Sequence, residues 1–231
     1  MNKAALERRL SRVEGFADPR LDLEQYPTPA DLAAHLVHLA SVQGDIAGRT
    51  VVDLGTGTGM LALGAAFRGP ARVLALDRDP AALAQARENE RAVGVAGASE
   101  GEGADAGVAD ADAPASATGV EWMVADAARA PLCPPDADRA NVTVLMNPPF
   151  GAQAGNEHAD RAFLATASEI SGVSYSIHNA GSREFVESFA ADEGGEVTHA
   201  FRAELALARQ FAHQTSDREV IDAEVFRIRW R

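Results

Sequence analysis

Cysteine, lysine and long apolar runs are scarce or absent in this 231-residue sequence. The single cysteine, Cys133, excludes a disulfide within the chain and a metal cluster built from cysteines. No apolar stretch approaches the ~18 residues that a membrane-spanning helix needs. The N-terminus is charged and amphipathic and lacks the apolar core of a signal peptide. We therefore expect a cytoplasmic protein that does not associate with a membrane.

Basic charge comes almost entirely from arginine, since Lys3 is the only lysine among 21 basic residues, and the net charge is −13. Such an acid excess is typical of proteins that stay hydrated in concentrated salt, so we expect a halophilic protein. Codon bias in a GC-rich genome is an alternative source of the missing lysines, and both can apply. The acidity argues against a nucleic-acid partner. At molar salt, however, screening shrinks to ~3 Å and base contacts could carry recognition.

The order of strand and helix patterns predicts an α/β protein with a doubly wound, mostly parallel sheet. Predicted strands cover 50–54, 72–77, 120–124, 142–146 and 173–178, and predicted helices cover 3–14, 29–41, 59–68, 80–93, 158–170 and 182–192. Two consecutive strands at 196–206 and 219–229 predict an antiparallel hairpin at the sheet edge, which completes seven strands.

The length fits a single domain over 1–231, with an N-terminal helical extension at 1–45. Residues 97–119 are small, acidic or turn-forming, apart from Val108. Such a segment cannot bury enough apolar area to order itself, so we predict a disordered acidic insertion in a surface loop.

The most informative segment is Asn147-Pro148-Pro149-Phe150, directly after the strand predicted at 142–146. Two prolines restrict the backbone, so the Asn147 amide would be held at a fixed place at the strand end. Phe150 could lie flat against a planar ring. These groups suit the binding of an NH2 group whose lone pair is aimed at an electrophile. A proline-rich turn without chemistry is the alternative.

A glycine-rich turn, Gly55-Thr56-Gly57-Thr58-Gly59, follows the first predicted strand and leads into a helix near Met60. Its glycines permit positive φ and a close approach of backbone N–H groups to a ligand. Dinucleotide-binding folds use a similar turn. Here Asp53 precedes the first glycine, where a carboxylate would repel a pyrophosphate but would suit the cationic groups of S-adenosylmethionine.

Carboxylates also end the next two predicted strands. Asp77 could accept hydrogen bonds from both hydroxyls of a ribose, and Asp126 could accept one from an adenine amino group. Each alone could be a solvated residue at a strand end. Together with Asp53, around one glycine turn, they favour a cofactor that contains adenosine. His35 and His38 lie three apart on a predicted helix, but no third ligand is apparent, so we predict no metal site.

With these segments the chain resembles the small-subunit ribosomal RNA adenine-N6 methyltransferases of the methyltransferase-like-five type, in their archaeal form. The similarity runs from about residue 20 to the last strand, apart from the acidic insertion. Most class I methyltransferases share the glycine turn. More specific segments are Glu24-Gln25-Tyr26-Pro27-Thr28, Asn147-Pro148-Pro149-Phe150-Gly151, Asp160-Arg161-Ala162-Phe163-Leu164, Tyr175-Ser176-Ile177-His178 and Ser182-Arg183-Glu184.

The resemblance implies a class I, Rossmann-like methyltransferase that uses S-adenosylmethionine to methylate an adenosine in RNA. It implies a small zinc-binding activator subunit that pairs along a sheet edge. The implied catalytic residues are Asn147, Pro148, Pro149 and Phe150, and the implied cofactor-binding residues are Gln25, Tyr26, Thr28, Asp53, Gly55, Gly57, Thr58, Gly59, Met60, Asp77, Asp126 and Ala127.

The chain departs from the family in the acidic insertion and in the segment 211–218, which lacks the family's basic stretch. The best remaining candidate for an RNA contact is the first helix with Arg8, Arg9 and Arg12, whose alternative is a plain solvated helix. His178 could either shape a target-base site or pack in the core. Other acceptors of the same fold are DNA adenine, guanine N2 and protein glutamine, and a non-catalytic RNA-binding scaffold is a further alternative.

Overall fold

A computed structural model of the chain describes residues 1–95, 117–150, 159–208 and 218–231. Its strands are β1 (Thr50–Leu54), β2 (Arg72–Asp77), β3 (Val120–Val124), β4 (Val142–Met146), β5 (Val173–Asn179), β6 (Glu196–Ala208) and β7 (Arg218–Arg229). Its helices are α1 (Lys3–Leu10), α2 (Ala30–Val42), α3 (Met60–Ala66), α4 (Pro80–Val93), α5 (Asp136–Arg139), α6 (Ala159–Ile170) and α7 (Arg183–Asp192), and two short 3-10 turns cover Leu21–Leu23 and Ala127–Arg129.

The strands form one sheet in the order β3-β2-β1-β4-β5-β7-β6. Strands β1 to β5 pair in parallel, and β7 runs antiparallel to both β5 and β6. The predicted seven-stranded α/β fold with its C-terminal hairpin is therefore confirmed. The strand order reverses between β1 and β4, and in such sheets ligands bind beyond the carboxyl ends of the strands at that point.

Both faces of the sheet are covered by helices, which explains why the central strands are continuous apolar runs. On one face, Leu6 of α1, Leu36 of α2 and Leu63 of α3 belong to a common core cluster. On the other, Leu164 of α6 and Phe189 of α7 pack with the strand residues that point that way. None of the helices within the described ranges is long and apolar enough to cross a bilayer.

The first helix is shorter than the predicted 3–14 because tertiary contacts take over its last residues. Asn2 caps its start by accepting a hydrogen bond from the backbone N–H of Ala5, and α1 ends at Leu10. The backbone N–H of Glu14 then donates to the side-chain oxygen of Asn89 at 3.0 Å, rather than to a helical carbonyl. The path of the chain after α1 is thus fixed by Asn89, which lies 75 residues further along the sequence.

The predicted insertion lies mostly outside the described residues. Of its last three residues, Thr118 donates its backbone N–H to the Ala66 carbonyl at 3.1 Å and its hydroxyl to the Pro70 carbonyl at 2.9 Å. The chain segment that leads into β3 is therefore held against the loop between α3 and β2.

A buried charged network ties the end of the N-terminal extension to the hairpin. The carboxylate of Asp45 accepts hydrogen bonds from the Tyr175 hydroxyl at 2.6 Å and from Nε of Arg227 at 2.8 Å. Burial, with Asp45 as neighbour, raises the pKa of Tyr175, so the phenol stays a donor. Because a buried charge is costly unless it is paired, removing either partner should destabilise this junction.

Candidate active site

A cavity of about 310 Å³ lies beyond the carboxyl ends of β1, β2 and β4, where the strand order reverses. Its floor is the glycine turn after β1. Its walls come from the segment 16–28, from the residues after β3 and from the start of α6. Asn147, at the end of β4, reaches the same cavity. The glycine turn and the Asn147 amide therefore face one common space.

The glycine turn adopts positive φ, with +67° at Gly55 and +54° at Gly57. The missing side chains also leave room for two aromatic rings. A Cβ atom added to Gly55 would lie 2.8 Å from the ring of Phe163, and one added to Gly57 would lie 2.9 Å from the ring of Phe16. These distances are shorter than carbon atoms tolerate, so glycine is required by both backbone conformation and space.

Asp53 does not line the cavity, which corrects the expectation that its carboxylate faces a cationic ligand. It is 1% exposed. One carboxylate oxygen accepts hydrogen bonds from the Thr56 hydroxyl at 2.6 Å and from the Ala62 backbone N–H at 2.9 Å. Burial raises its pKa to about 7. Asp53 thus braces the glycine turn against the start of α3.

Asp77 does line the cavity, at the end of β2. One of its oxygens accepts from the Gly57 N–H at 2.8 Å and the other from the Asp79 N–H at 2.9 Å. Burial raises its pKa. A carboxylate oxygen can accept more than one hydrogen bond, so Asp77 can still receive ligand hydroxyls.

Asp126 lines the cavity and follows β3 closely in the chain. One oxygen accepts from the Ala128 N–H at 3.0 Å and so caps the short 3-10 turn that contains Ala127. Its side chain is 46% exposed. The carboxylate and the neighbouring backbone groups are therefore open to a ligand's polar edge.

The segment 14–28, which we call the strap, forms the outer wall of the cavity and is tied down along its length. Near its start, Asn89 accepts from the Glu14 N–H and donates to the Thr58 carbonyl of the glycine turn at 3.0 Å each. Near its end, Gln25 donates to the Asp79 carboxylate at 2.6 Å and accepts from the Arg20 N–H at 2.8 Å. Both ends of the Gln25 amide are therefore used within the protein.

Asn147 has one satisfied and one unsatisfied end. Its Nδ2 donates to the Thr28 hydroxyl at 2.9 Å. Its Oδ1 is covered from solvent and accepts no hydrogen bond from the residues that the structure describes. An unsatisfied buried acceptor costs about 1–3 kcal/mol, a cost that a ligand N–H donor would remove.

The chain has close relatives among known proteins. The rRNA N(6)-adenosine-methyltransferase Mettl5 of Drosophila melanogaster is 30% identical over 227 residues, which are 96% of this chain and 95% of the fly protein. The uncharacterized protein MJ0284 of Methanocaldococcus jannaschii is 32% identical, covering 99% of this chain and 94% of its own length. The crystal structure of PH1948, a candidate RNA methyltransferase of Pyrococcus horikoshii, has a TM-score of 0.80 and 32% identity, covering 100% of this chain and 98% of that one.

The chain belongs to the Mettl5 family of rRNA N6-adenosine-methyltransferases. It is an S-adenosylmethionine-dependent enzyme with the class I methyltransferase fold. The family model for ribosomal protein L11 methyltransferase (PrmA) also matches, at residues 36–105. That stretch holds the glycine turn and Asp77 but not Asn147, so this second match concerns the cofactor-binding half of the protein.

The residues around the cavity fit S-adenosylmethionine by their chemistry. Asp77 offers acceptors for ribose hydroxyls, and Asp126 with the Ala127 backbone offers polar groups for an adenine edge. The volume lies at the lower end of the ~300–1,000 Å³ typical of ligand pockets.

Most of the predicted site residues line this one cavity: Gln25, Tyr26, Thr28, Gly55, Gly57, Thr58, Met60, Asp77, Asp126, Ala127, Asn147 and Pro149. Asp53, Gly59, Pro148 and Phe150 are not among its lining residues. Gly59 instead faces Trp122 of β3, whose ring would lie 2.8 Å from an added Cβ. Phe150 packs against the core cluster on the α2 side of the sheet.

Phe16 and Phe163 were missed by the sequence reasoning, although both line the cavity. Phe16 lies in a loop without periodic pattern, and Phe163 has the spacing of an ordinary core residue on α6. The signal that could have found them is the pair of glycines, Gly55 and Gly57, because a turn that excludes side chains often does so to admit another group.

Residues outside the cavity behave as structural ones. His35 stacks on Phe201 with ring centroids 4.7 Å apart, and no group of side chains among the described ranges has the arrangement of a metal site. Arg9 of α1 lies over the Phe67 ring at 5.0 Å and donates to the Val93 carbonyl. His178 is buried beside Phe226, and burial lowers its pKa to about 4.

Proposed function

We propose that this protein methylates N6 of an adenosine in RNA, specifically in small-subunit ribosomal RNA. The observation that carries the proposal is the Asn147 amide, whose Oδ1 is an unsatisfied acceptor at the edge of the cofactor cavity. The names of the relatives support both RNA and the adenosine amino group as acceptor. The match to the L11 methyltransferase model ends before Asn147 and so gives no support to a protein acceptor.

The chain's residues would act by positioning. The N6 lone pair of adenine is delocalised into the ring, which makes the amine a poor nucleophile. A hydrogen bond from N6–H to Asn147 Oδ1, and a second to the Pro148 carbonyl, would favour a pyramidal nitrogen with a localised lone pair. Bound S-adenosylmethionine supplies the electrophilic methyl group. Holding two reactants in line supplies much of the rate enhancement in such displacements.

The target base must leave its stack to reach this site. Stacking of Phe150 on the base, a contact worth ~1–3 kcal/mol, would require its ring to leave its packing against the core on the α2 side of the sheet. Because Oδ1 is covered from solvent, the incoming adenine has to displace the groups that cover it. We therefore expect single-stranded or extruded adenosine to be the substrate, and a fully paired one to be methylated slowly.

The proposal is tested by incubating the protein with tritiated S-adenosylmethionine and separate RNA, DNA and protein fractions. We expect label in small-subunit rRNA, recovered as N6-methyladenosine by mass spectrometry. Asn147→Ala should abolish transfer and leave cofactor affinity within about twofold. The matched control is Asn141→Ala, which removes an exposed side chain just before β4. Wild-type transfer by Asn147→Ala, or label confined to DNA or protein, would refute the assignment.

We further propose the zinc-binding activator subunit as partner, seated on the β3 edge. Among the described strands, β3 ends the sheet and has no strand on its outer side, and Val124 is 60% exposed there. Exposed edges of this kind accept an added strand. Val124→Arg should abolish co-purification with the activator, whereas Val42→Arg, at an exposed site on α2, should not. Equal effects of both substitutions would contradict the β3 assignment.

The cellular setting is also a proposal. A cytoplasmic location follows from the proposed rRNA substrate, and a halophilic archaeal origin is supported by the net charge of −13 with a single lysine. The dependence of Tm on salt concentration tests the halophilic origin.

A further inference from the structure

We infer that Thr28 is a positioning residue for the acceptor base, in addition to forming part of the cofactor wall. It holds the Asn147 amide in the one orientation that leaves Oδ1 free for a donor. The inference rests on the proposed function of Asn147. The two residues are 119 positions apart in the chain, and the hydrogen bond from Asn147 Nδ2 to Thr28 Oγ1 measures 2.9 Å.

The position of the Thr28 hydroxyl is fixed by local sequence. Thr28 lies between Pro27 and Pro29. A residue before proline is restricted to extended backbone. Pro29 is also the residue that caps the start of α2, and its carbonyl accepts the first helical hydrogen bond from the Ala33 N–H at 2.9 Å. The hydroxyl is therefore attached to a stiff dipeptide at a helix start, and Thr28 is buried.

The orientation of the amide decides whether Asn147 attracts or repels the substrate. An amide has an acceptor end and a donor end, and the adenine amino group is a donor on both of its hydrogens. With Nδ2 held by Thr28, the acceptor end is presented. Without that bond the side chain loses its anchor in the observed rotamer and can turn its NH2 group toward the base, so that two donors would face each other. Because a hydroxyl can also donate to an amide oxygen, Thr28 acts by stabilising the observed rotamer of Asn147.

No other described side chain performs this task. Two carboxylates of the cavity are engaged elsewhere: Asp77 with the Gly57 and Asp79 backbone, and Asp126 with the Ala128 backbone. Within the described ranges, the bond to Thr28 is the one hydrogen bond found for the Asn147 side chain. The rotamer of the proposed acceptor therefore depends on a single hydroxyl.

The kinetic test compares Thr28→Val, which keeps the shape and removes the hydroxyl, with Thr28→Ser, which keeps the hydroxyl. We expect Thr28→Val to lower kcat about tenfold or more, with KM for S-adenosylmethionine within about twofold of wild type. Thr28→Ser should restore kcat to within about threefold. A Thr28→Val enzyme with unchanged kcat, or with its loss confined to KM for S-adenosylmethionine, would overturn the inference.

A second measurement does not need activity. The side-chain NH2 protons of Asn147 can be followed by ¹⁵N NMR, with those of exposed Asn141 as reference. We expect slow solvent exchange for Asn147 in the wild type and in Thr28→Ser, and exchange near the Asn141 rate in Thr28→Val. Equal exchange rates of the Asn147 NH2 protons in wild type and Thr28→Val would show that Thr28 does not hold the Asn147 amide.

The two proposals fail separately. If the wild type transfers no methyl group to RNA, or if Asn147→Ala is fully active, the proposed function fails, whereas the exchange measurement still decides whether Thr28 holds the amide. If Asn147→Ala is inactive while Thr28→Val has wild-type kcat, the role of Thr28 fails and the proposed function stands.

Discussion

Replacing Asp53 by asparagine should stabilise the protein at neutral and alkaline pH while leaving cofactor affinity nearly unchanged. The carboxylate is buried, and the hydrogen bonds that it accepts from Thr56 and Ala62 both end on one oxygen, Oδ2. An asparagine can place its single acceptor oxygen there. The variant would therefore keep the brace between the glycine turn and α3 and lose only the buried charge.

The magnitude follows from the pKa. The Asp53 carboxyl titrates near pH 7 in the folded protein, against ~3.9 in an exposed chain. The folded state therefore binds the proton more tightly, and stability falls as pH rises from about 4 to about 7. Between pH 5 and pH 8 this contribution changes by about 2–3 kcal/mol, at 1.36 kcal/mol per pKa unit. For a chain of this size that corresponds to roughly 5–10 °C in Tm.

The assay is thermal unfolding of wild type and Asp53→Asn at pH 5 and pH 8, at one fixed salt concentration. The Tm of the variant should exceed that of wild type by more at pH 8 than at pH 5. His178, whose pKa is lowered by burial to about 4, contributes with the opposite sign between about pH 4 and 6.5. It is present in both proteins and cancels in the difference.

Two results would contradict this account of Asp53. A Tm difference that does not change with pH would show that Asp53 is not a costly buried charge. A loss of S-adenosylmethionine affinity of more than about tenfold, measured by calorimetry at pH 8, would show that the carboxylate acts on the ligand rather than on the turn. Asp136→Asn, which removes an exposed carboxylate at the start of α5, is the control and should reproduce neither effect.

Three further predictions concern the cavity and the surface charge. Gly57→Ala should weaken S-adenosylmethionine binding at least tenfold in calorimetry, because the new methyl group meets Phe16; Gly44→Ala, at φ +75° in open space, should cost only stability. Asn89→Ala should lower Tm and raise KM for S-adenosylmethionine, whereas effects on Tm alone would contradict a role for the strap. Tm should rise between dilute buffer and ~2 M KCl, and an unchanged Tm would count against salt adaptation by charge.

The sequence predicted the strands best, and the reason is physical. Strand β1 is Thr50–Leu54 and strand β2 is Arg72–Asp77, both as predicted, because strands buried on two faces need apolar runs of defined length. The position of Asn147 at the end of β4 was predicted from the apolar run before it and from the two prolines after it, which stop the strand.

The remaining features depend on contacts between distant segments, which no local pattern encodes. The predicted end of α1 was too late because the Glu14 backbone bonds to Asn89. The role given to Asp53 was wrong because its partners, Thr56 and Ala62, come into reach only once the turn has folded. Phe16 was overlooked because nothing in its own neighbourhood places it over Gly57.

The position of the strap limits how far the N-terminus of this enzyme can be truncated. Residues 1–45 precede the first strand and were predicted as an N-terminal helical extension. Yet Phe16, Gln25 and Thr28 form one side of the cavity, and Asp45 anchors strands β5 and β7. A shortened protein starting at the first strand would lack that side and that anchor, so catalysis and folding share the same N-terminal residues.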